Sequence, residues 1–279
     1  MTPTAALELQ QVSFSYVEGT PVLRDIGFSV ASGEVVALVG RNGAGKSTLL
    51  RLLNGLLRPA DGRVLIDGAD ISERKVSDIA RVIGTVFQAP EQQIFNVSVR
   101  AELAFGPSQL PLSSEEREAR VEEAMRRCGL GGCLDQHPLD LDQATRRFVA
   151  IGSVLATQPR ILLLDEAQRG LDRDRRELLL RIVNQERAAG NAIILVCHDM
   201  EFVAAVADRV LGLADGRLLV DAQVGTFFAD AAAARSVSVE QPQITALAQA
   251  LGLATALKPG DLVDQFSPGR GSGGAAKDT

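Results

Sequence analysis

The 279-residue chain is 46% hydrophobic and 23% charged, with net charge −6. These proportions are ordinary for a soluble globular protein of one large domain plus an appendage. The acidic balance argues against a nucleic-acid partner. Runs such as Ile161–Leu164 and Ala192–Cys197 are too short to cross a bilayer, and Met1–Gln10 has neither the basic nor the apolar region of a secretory signal. A cytosolic location is therefore expected. The three cysteines, Cys128, Cys133 and Cys197, form no CxxC pair and read as reduced structural thiols.

In chain order, Leu7–Phe14 partly alternates apolar and polar residues, as a half-buried strand does. Val22–Val30 is a second strand candidate. Val35–Val39 is wholly apolar and reads as a buried strand. It runs into Gly40-Arg41-Asn42-Gly43-Ala44-Gly45-Lys46-Ser47-Thr48, which matches the phosphate-cradling pattern G-x-x-x-x-G-K-[ST]. A helix over Ser47–Leu57 follows. Gly43 and Gly45 permit the tight bend that turns successive N–H groups inward, and the helix start adds the positive end of its dipole. Lys46 is expected to reach the β- and γ-phosphates, and the Ser47 hydroxyl to ligate Mg²⁺.

Gly62–Gly68 reads as a short strand closed by an Asp-Gly turn, and Val82–Phe87 as another buried strand. The texture changes over 89–157. Ser113/Ser114 with Glu116 marks a helix start, Val121, Ala124, Met125 and Cys128 fall at helical spacing, and Gly129, Gly131 and Gly132 end that helix. This stretch is expected to be a helical subdomain inserted into the core. Pro90–Phe95 reads as an exposed loop carrying apolar Ile94 and Phe95. Ile161–Leu164, a fully apolar strand, ends in Asp165-Glu166. Arg173–Ala189 reads as a helix, Asn191–Cys197 as a buried strand ending at His198, and Arg217–Val220 as part of a last hairpin. Ile244, Leu247, Ala248 and Leu251 mark a short amphipathic helix. Pro259–Thr279 reads as a disordered tail. The expected division is a nucleotide-binding domain over 1–222, a helical extension over 223–258 and the tail over 259–279.

The carboxylates suit two roles. Asp165 would hold Mg²⁺ directly or through water, and Glu166 would polarise the attacking water as general base. Gln88, after its strand, could touch Mg²⁺ or that water. His198 sits at a strand's carboxyl end, where ligands gather in α/β sheets, and could bond the γ-phosphate and orient Glu166. Tyr16, the one tyrosine, could stack on adenine or simply pack at a sheet edge.

Tyr16, Gly40–Thr48, Gln88, Asp165-Glu166, Gly170-Leu171-Asp172 and His198, in this order, resemble the ATP-binding cassette (ABC) ATPase family. The resemblance covers about Leu7 to Val220. It implies an α/β fold: a RecA-like P-loop NTPase core, an antiparallel edge sheet, the inserted helical subdomain and a small C-terminal extension. It implies ATP and Mg²⁺ as cofactors, and two cassettes holding two ATP molecules head to tail. Phe87–Phe95, Glu102–Pro107 and the tail segment Gln241–Leu253 are similar to the ATPases of energy-coupling-factor (ECF) transporters, which import vitamins and transition-metal ions. That similarity implies a second ATPase, a transmembrane coupling subunit and a substrate-binding membrane subunit, with this chain peripheral on the cytoplasmic face.

Two departures stand out. Where the family has the signature LSGGQ, this chain has Leu141-Asp142-Gln143-Ala144-Thr145, losing both glycines and the serine. Ala167-Gln168-Arg169 replaces Pro-Thr-Ser after Glu166. The first departure favours a heterodimer with a cassette whose signature is intact. The alternative is a homodimer in which the altered signature still works. A regulatory or soluble ABC module with little turnover is the rival function, which Glu166 and His198 oppose.

Overall fold

The computed structural model describes residues 5–266. The strands are β1 (Ala5–Val17), β2 (Thr20–Ala31) and β3 (Val35–Val39), followed by helix α1 (Lys46–Leu53). Next come β4 (Asp61–Ile66), β5 (Ala69–Asp70), the single turn α2 (Val76–Ile79) and β6 (Ile83–Val86). Three helices follow: α3 (Val99–Ser108), α4 (Ser114–Cys128) and α5 (Gln143–Leu155). The chain then alternates through β7 (Ile161–Asp165), α6 (Arg173–Ala188), β8 (Ala192–Val196) and α7 (Met200–Val206). It ends with β9 (Arg209–Ala214), β10 (Arg217–Gln223) and helices α8 (Val224–Ala229), α9 (Ala231–Ser236), α10 (Gln243–Ala250) and α11 (Pro259–Phe266).

The strands form two sheets. One is four-stranded and antiparallel, in the order β2-β1-β4-β5. The other has the order β10-β9-β3-β8-β7-β6 and is parallel except for the β10 edge. Strands β3 and β8, and β7 up to Leu164, are apolar because both faces are covered. Val35, Ala37 and Val39 enter the core on one side, and Val36 and Leu38 the core on the other. This is the α/β nucleotide-binding fold expected from the sequence.

Local chemistry explains the main boundaries. Asp67 and Gly68 both have positive φ (51° and 75°), the conformation that a two-residue type I′ hairpin needs. Helix α4 begins in a reciprocal capping box: the Ser113 hydroxyl accepts from the Glu116 N–H, and the Glu116 carboxylate accepts from the Ser113 N–H. It ends at Gly129, φ 67°. Gly131 and Gly132, expected to share that role, are not in the left-handed region.

Two further expectations are corrected. Ile94 is not exposed: it is 7% accessible and belongs to the larger core, whereas its neighbour Phe95 is 65% accessible. Residues 259–266, expected in the tail, form α11, where Asp261 accepts from the Leu257 and Lys258 N–H groups. The rest of that expected tail, 267–279, lies outside the described residues.

Candidate functional site

The parallel sheet decides which residues can meet. Strands β3, β8, β7 and β6 are neighbours in that order. Their carboxyl ends deliver, respectively, the loop Gly40–Gly45, His198, Asp165-Glu166 and Gln88. Four segments far apart in sequence thus open onto one edge, as ligand sites in parallel α/β sheets do. They line a cleft of ≈ 400 Å³ together with Asn42, Gly43, Ser47 and Thr48.

The loop is held by its own geometry. Gly40 has φ 146°, and a Cβ there would lie 2.1 Å from the Leu213 carbonyl oxygen. Only glycine fits. Gly43 and Gly45 also have positive φ, 81° and 108°. Ala44, between them, is buried. The Lys46 ammonium donates to the carbonyls of Gly40 (2.6 Å) and Arg41 (2.9 Å), drawing the loop around itself. Burial lowers the Lys46 pKa, opposed by the negative charges of Glu166 and Asp165. Arg41 points elsewhere, to an ion pair with Asp215. Tyr16 stands at the rim. Its hydroxyl bonds the Thr48 hydroxyl (3.2 Å) and its ring meets Phe14 edge-on at 4.9 Å, leaving the residue 54% accessible. It is thus packed against Phe14 near the end of β1, half exposed, and is not among the residues that line the cleft.

Glu166 is the centre of the polar network. Its backbone φ is 49°, a left-handed value uncommon for a non-glycine residue and a form of strain often found at functional sites. Its carboxylate is only 14% accessible. One oxygen lies 3.3 Å from His198 Nε2, and the other accepts from Gln88 Nε2 at 3.3 Å. Arg169 Nη1 stands 3.7 Å from that second oxygen. Burial and then the Lys46 charge lower the His198 pKa, outweighing the opposing pull of Glu166. The imidazole is therefore neutral at neutral pH, and its Nε2–H is suited to donate to the Glu166 carboxylate. Asp165 shifts the other way: burial, then the adjacent Glu166 charge, raise its pKa. Two neighbouring carboxylates with Lys46 as their nearby cation create a demand for further positive charge at this spot.

The segment Leu141–Thr145 is not part of this cleft. It forms the start of α5. The Asp142 carboxylate caps that helix, accepting from the Thr145 N–H (2.9 Å) and the Thr145 hydroxyl (2.5 Å). The bonds to Thr145 hold the Asp142 pKa below its usual value. Thr145 Oγ1 also accepts from Arg175 (3.0 Å). Asp172 has a similar local task, capping α6 through the Arg175 N–H (2.9 Å).

Sequence reasoning missed Arg147. This residue of α5 is 2% accessible and donates from Nη1 to the Glu166 carbonyl (3.0 Å) and the Gln88 carbonyl (3.4 Å). It is one of two adjacent arginines on a helix, and no local pattern distinguishes it from a solvated charge. Arg169, noted only as a departure, proves to face Glu166 and a second cavity of ≈ 520 Å³ beside the cleft.

Comparisons with known proteins give a consistent result. The family model described as ABC transporter matches residues 23–169. The chain is 41% identical over 253 residues to the energy-coupling factor transporter ATP-binding protein EcfA2 of Caldanaerobacter subterraneus subsp. tengcongensis, covering 88% of each chain. It is 39% identical over 250 residues to EcfA of Methanothermobacter thermautotrophicus, covering 89% of this chain and 80% of that one. Among solved structures, cbiO1 of Clostridium perfringens, part of the ABC transporter complex cbiONQ, is similar with TM-score 0.76 and 32% identity. That match covers 88% of this chain and 99% of the other.

Proposed function

Because the chain belongs to the ABC transporter ATP-binding family, where it is an ATPase, we propose that it powers an energy-coupling-factor importer of a vitamin or a transition-metal ion. The observation that carries the mechanism is the meeting of Lys46, Glu166, His198 and Gln88 on one cleft at the end of four adjacent strands.

In the proposed reaction, ATP seats its β- and γ-phosphates in the loop Gly40–Thr48. Lys46 then turns from the Gly40 and Arg41 carbonyls to the phosphate oxygens. Water attacks the γ-phosphorus, the new P–O bond forms opposite the breaking bond to the bridging oxygen, and ADP leaves. Glu166 accepts the water's proton. The neutral His198 holds the carboxylate from one side and contacts the γ-phosphate. Gln88 holds it from the other side. Lys46 offsets the charge that develops in the transition state.

The residues fit Mg²⁺. Ser47, Asp165 and Gln88 offer hard oxygen donors, and the excess of carboxylate charge suits a divalent cation. Mg²⁺ usually takes one or two protein ligands plus substrate phosphates, so a cluster of three acidic or His/Cys groups is not needed, and none occurs among the described residues. Held by these residues, the ion would supply Lewis-acid charge that offsets the negative charge of the phosphates.

The partners proposed are a second cassette, paired head to tail and preferably with an intact signature, and membrane subunits that couple ATP use to transport. Among the described residues, no helix is long and apolar enough to cross a membrane. A mainly apolar cavity of ≈ 270 Å³ lined by Leu56, Val76, Phe87, Phe95 and Phe105 supports docking on such subunits, since exposed apolar patches of this kind mark interfaces.

The test is Glu166→Gln in the purified complex. ATP binding should persist while turnover stops, because an amide cannot accept the proton. Near-parental hydrolysis would remove Glu166 from the mechanism. The altered segment Leu141–Thr145 favours a second reading, an ATP-binding regulatory module. Negligible turnover of the parent, alone and with its partner cassette, would establish that one instead.

A further inference from the structure

We propose that Arg147 is a positioning residue for ATP hydrolysis: it clamps the backbone of Glu166 in its left-handed conformation and ties it to Gln88 and to helix α5. This inference rests on the proposed role of Glu166.

Three observations carry it. First, the Glu166 backbone is strained, with φ 49°. Such a conformation persists only where the surroundings over-determine it. The holding contacts are few. The Glu166 N–H donates to the Val196 carbonyl (3.0 Å), and its carbonyl accepts from the Arg169 N–H (3.0 Å) and from Arg147 Nη1 (3.0 Å). Arg147 is the one side chain among these donors and acceptors, and the one that comes from outside the β7–β8 neighbourhood.

Second, the same nitrogen reaches the Gln88 carbonyl (3.4 Å). Gln88 and His198 grip the Glu166 carboxylate at 3.3 Å each. Arg147 therefore grips from behind two of the three residues that form this triad. A single guanidinium sets the spacing between the Gln88 loop and Glu166.

Third, the guanidinium is buried at a cost. Arg147 is 2% accessible and its Nε finds no hydrogen-bond partner among the described residues. Burying a charge with incomplete partners is unfavourable, so the residue does not serve stability in the way an apolar side chain would. Arg147 follows Thr145 by two residues on the helix whose start Asp142 caps. Displacement of α5 would therefore reach the Glu166 backbone through this side chain.

The consequence is a split between chemistry and binding. Lys46 and the loop that seat the nucleotide are untouched by Arg147, so affinity should survive its loss. Glu166 would relax, and a misplacement of about 1 Å can cost roughly 100-fold in rate.

The experiment compares Arg147→Met, Arg147→Lys and Arg120→Met, each in the full chain assembled in its transporter complex. Arg120 is the control. It also donates to a backbone carbonyl, that of Thr157 just beyond α5 at 3.0 Å, but away from the cleft. Kd is read with a fluorescent ATP analogue and kcat by phosphate release. For Arg147→Met, kcat should fall at least tenfold while Kd stays within twofold of the parent. Arg147→Lys, whose ammonium can keep one of the two carbonyls, should recover part of the rate. Arg120→Met should keep the parental kcat. Should Arg147→Met not fold, Arg147→Lys decides alone: an intermediate kcat at parental Kd supports the clamp, and parental kcat overturns it. The proposal is also overturned if Arg147→Met hydrolyses within twofold of the parent, or if kcat falls and Kd rises together in both Met variants. Failure of the underlying role looks different: Glu166→Gln would then hydrolyse ATP normally while the parent still binds it.

Discussion

Asp142 gives the sharpest separation of structural from functional roles. Its carboxylate caps α5 with two bonds to Thr145. Asp142→Ala removes both. A lost N-cap costs about 1 kcal/mol, and the second bond about another 1 kcal/mol. For a chain of this size about 1 kcal/mol moves Tm by roughly 2–4 °C, so the expected loss is about 4–8 °C. Asp142→Ser restores the family's residue and keeps an N-cap acceptor, so it should cost about half as much. The cap weakens in acid. The folded-state pKa of Asp142 is depressed, so its contribution is present above the ordinary value of 3.8 and is lost as pH falls through the lower folded value. The functional effect runs the other way. In the proposed head-to-tail pairing this carboxylate approaches the partner cassette's nucleotide. Two like charges at 4 Å repel by about 1 kcal/mol in water and about 4 kcal/mol at a protein surface. Even the smaller figure is about fivefold in an equilibrium constant. The assay is phosphate release by the assembled pair in a Lys46→Ala background, where the remaining turnover belongs to the site facing Leu141–Thr145. Asp142→Ser should raise that residual rate about fivefold or more despite its lower Tm. Unchanged residual turnover, with Asp142→Ala melting within about 1 °C of the parent, would refute both the cap and the charge argument.

Other expectations follow from the same geometry. Lys46→Ala should cost far more ATPase activity than the matching change in a partner with an intact signature; equal losses in the two single variants would point to equivalent sites. Gly40→Ala forces a Cβ against the Leu213 carbonyl, so it should lower thermal stability by several degrees and abolish nucleotide-induced stabilisation, measured by melting with and without MgATP. Because the His198 pKa is lowered, its neutral form persists below pH 6.5, and the folded state is penalised relative to the unfolded chain only below that value. The acid limb of kcat/KM due to His198 should lie below pH 6.5, and a limb that disappears in His198→Ala but sits above 6.5 would contradict this. Phe95→Asp with Phe105→Asp should release the chain from its membrane partners while leaving ATP binding intact, tested by co-purification; Ile94→Asp is the wrong probe, since it would unfold the core.

Much of the molecule was legible in the sequence because its signals are local. The glycines of Gly40–Gly45 must bend the chain before α1 whatever surrounds them. Fully apolar runs such as Ile161–Leu164 have to be covered on both faces, which selects a parallel sheet. Ser113 and Glu116 cap α4 using atoms within one turn. Carboxylates at the end of such a strand, and His198 at the end of the next, already indicated an edge where phosphate chemistry could occur.

What the tertiary structure decided depends on contacts that sequence spacing does not encode. Helix α3 escaped detection because Gly106 and Pro107 discourage a helix. Gly106 is there because a Cβ would meet Thr157 Cγ2 at 2.4 Å, across a contact with the chain beyond α5. Ile94 was misplaced because an apolar residue in a loop reads the same whether it enters a core or faces water, and only the packing beneath the loop separates it from Phe95. The left-handed backbone of Glu166 is imposed by partners on β8 and α5 rather than by its own preference. Arg147 and its neighbour Arg146 are alike in sequence. Their helix turns one to the Leu139 and Leu141 carbonyls and buries the other against Gln88 and Glu166, and that rotation of about 100° per residue is what separates the two roles.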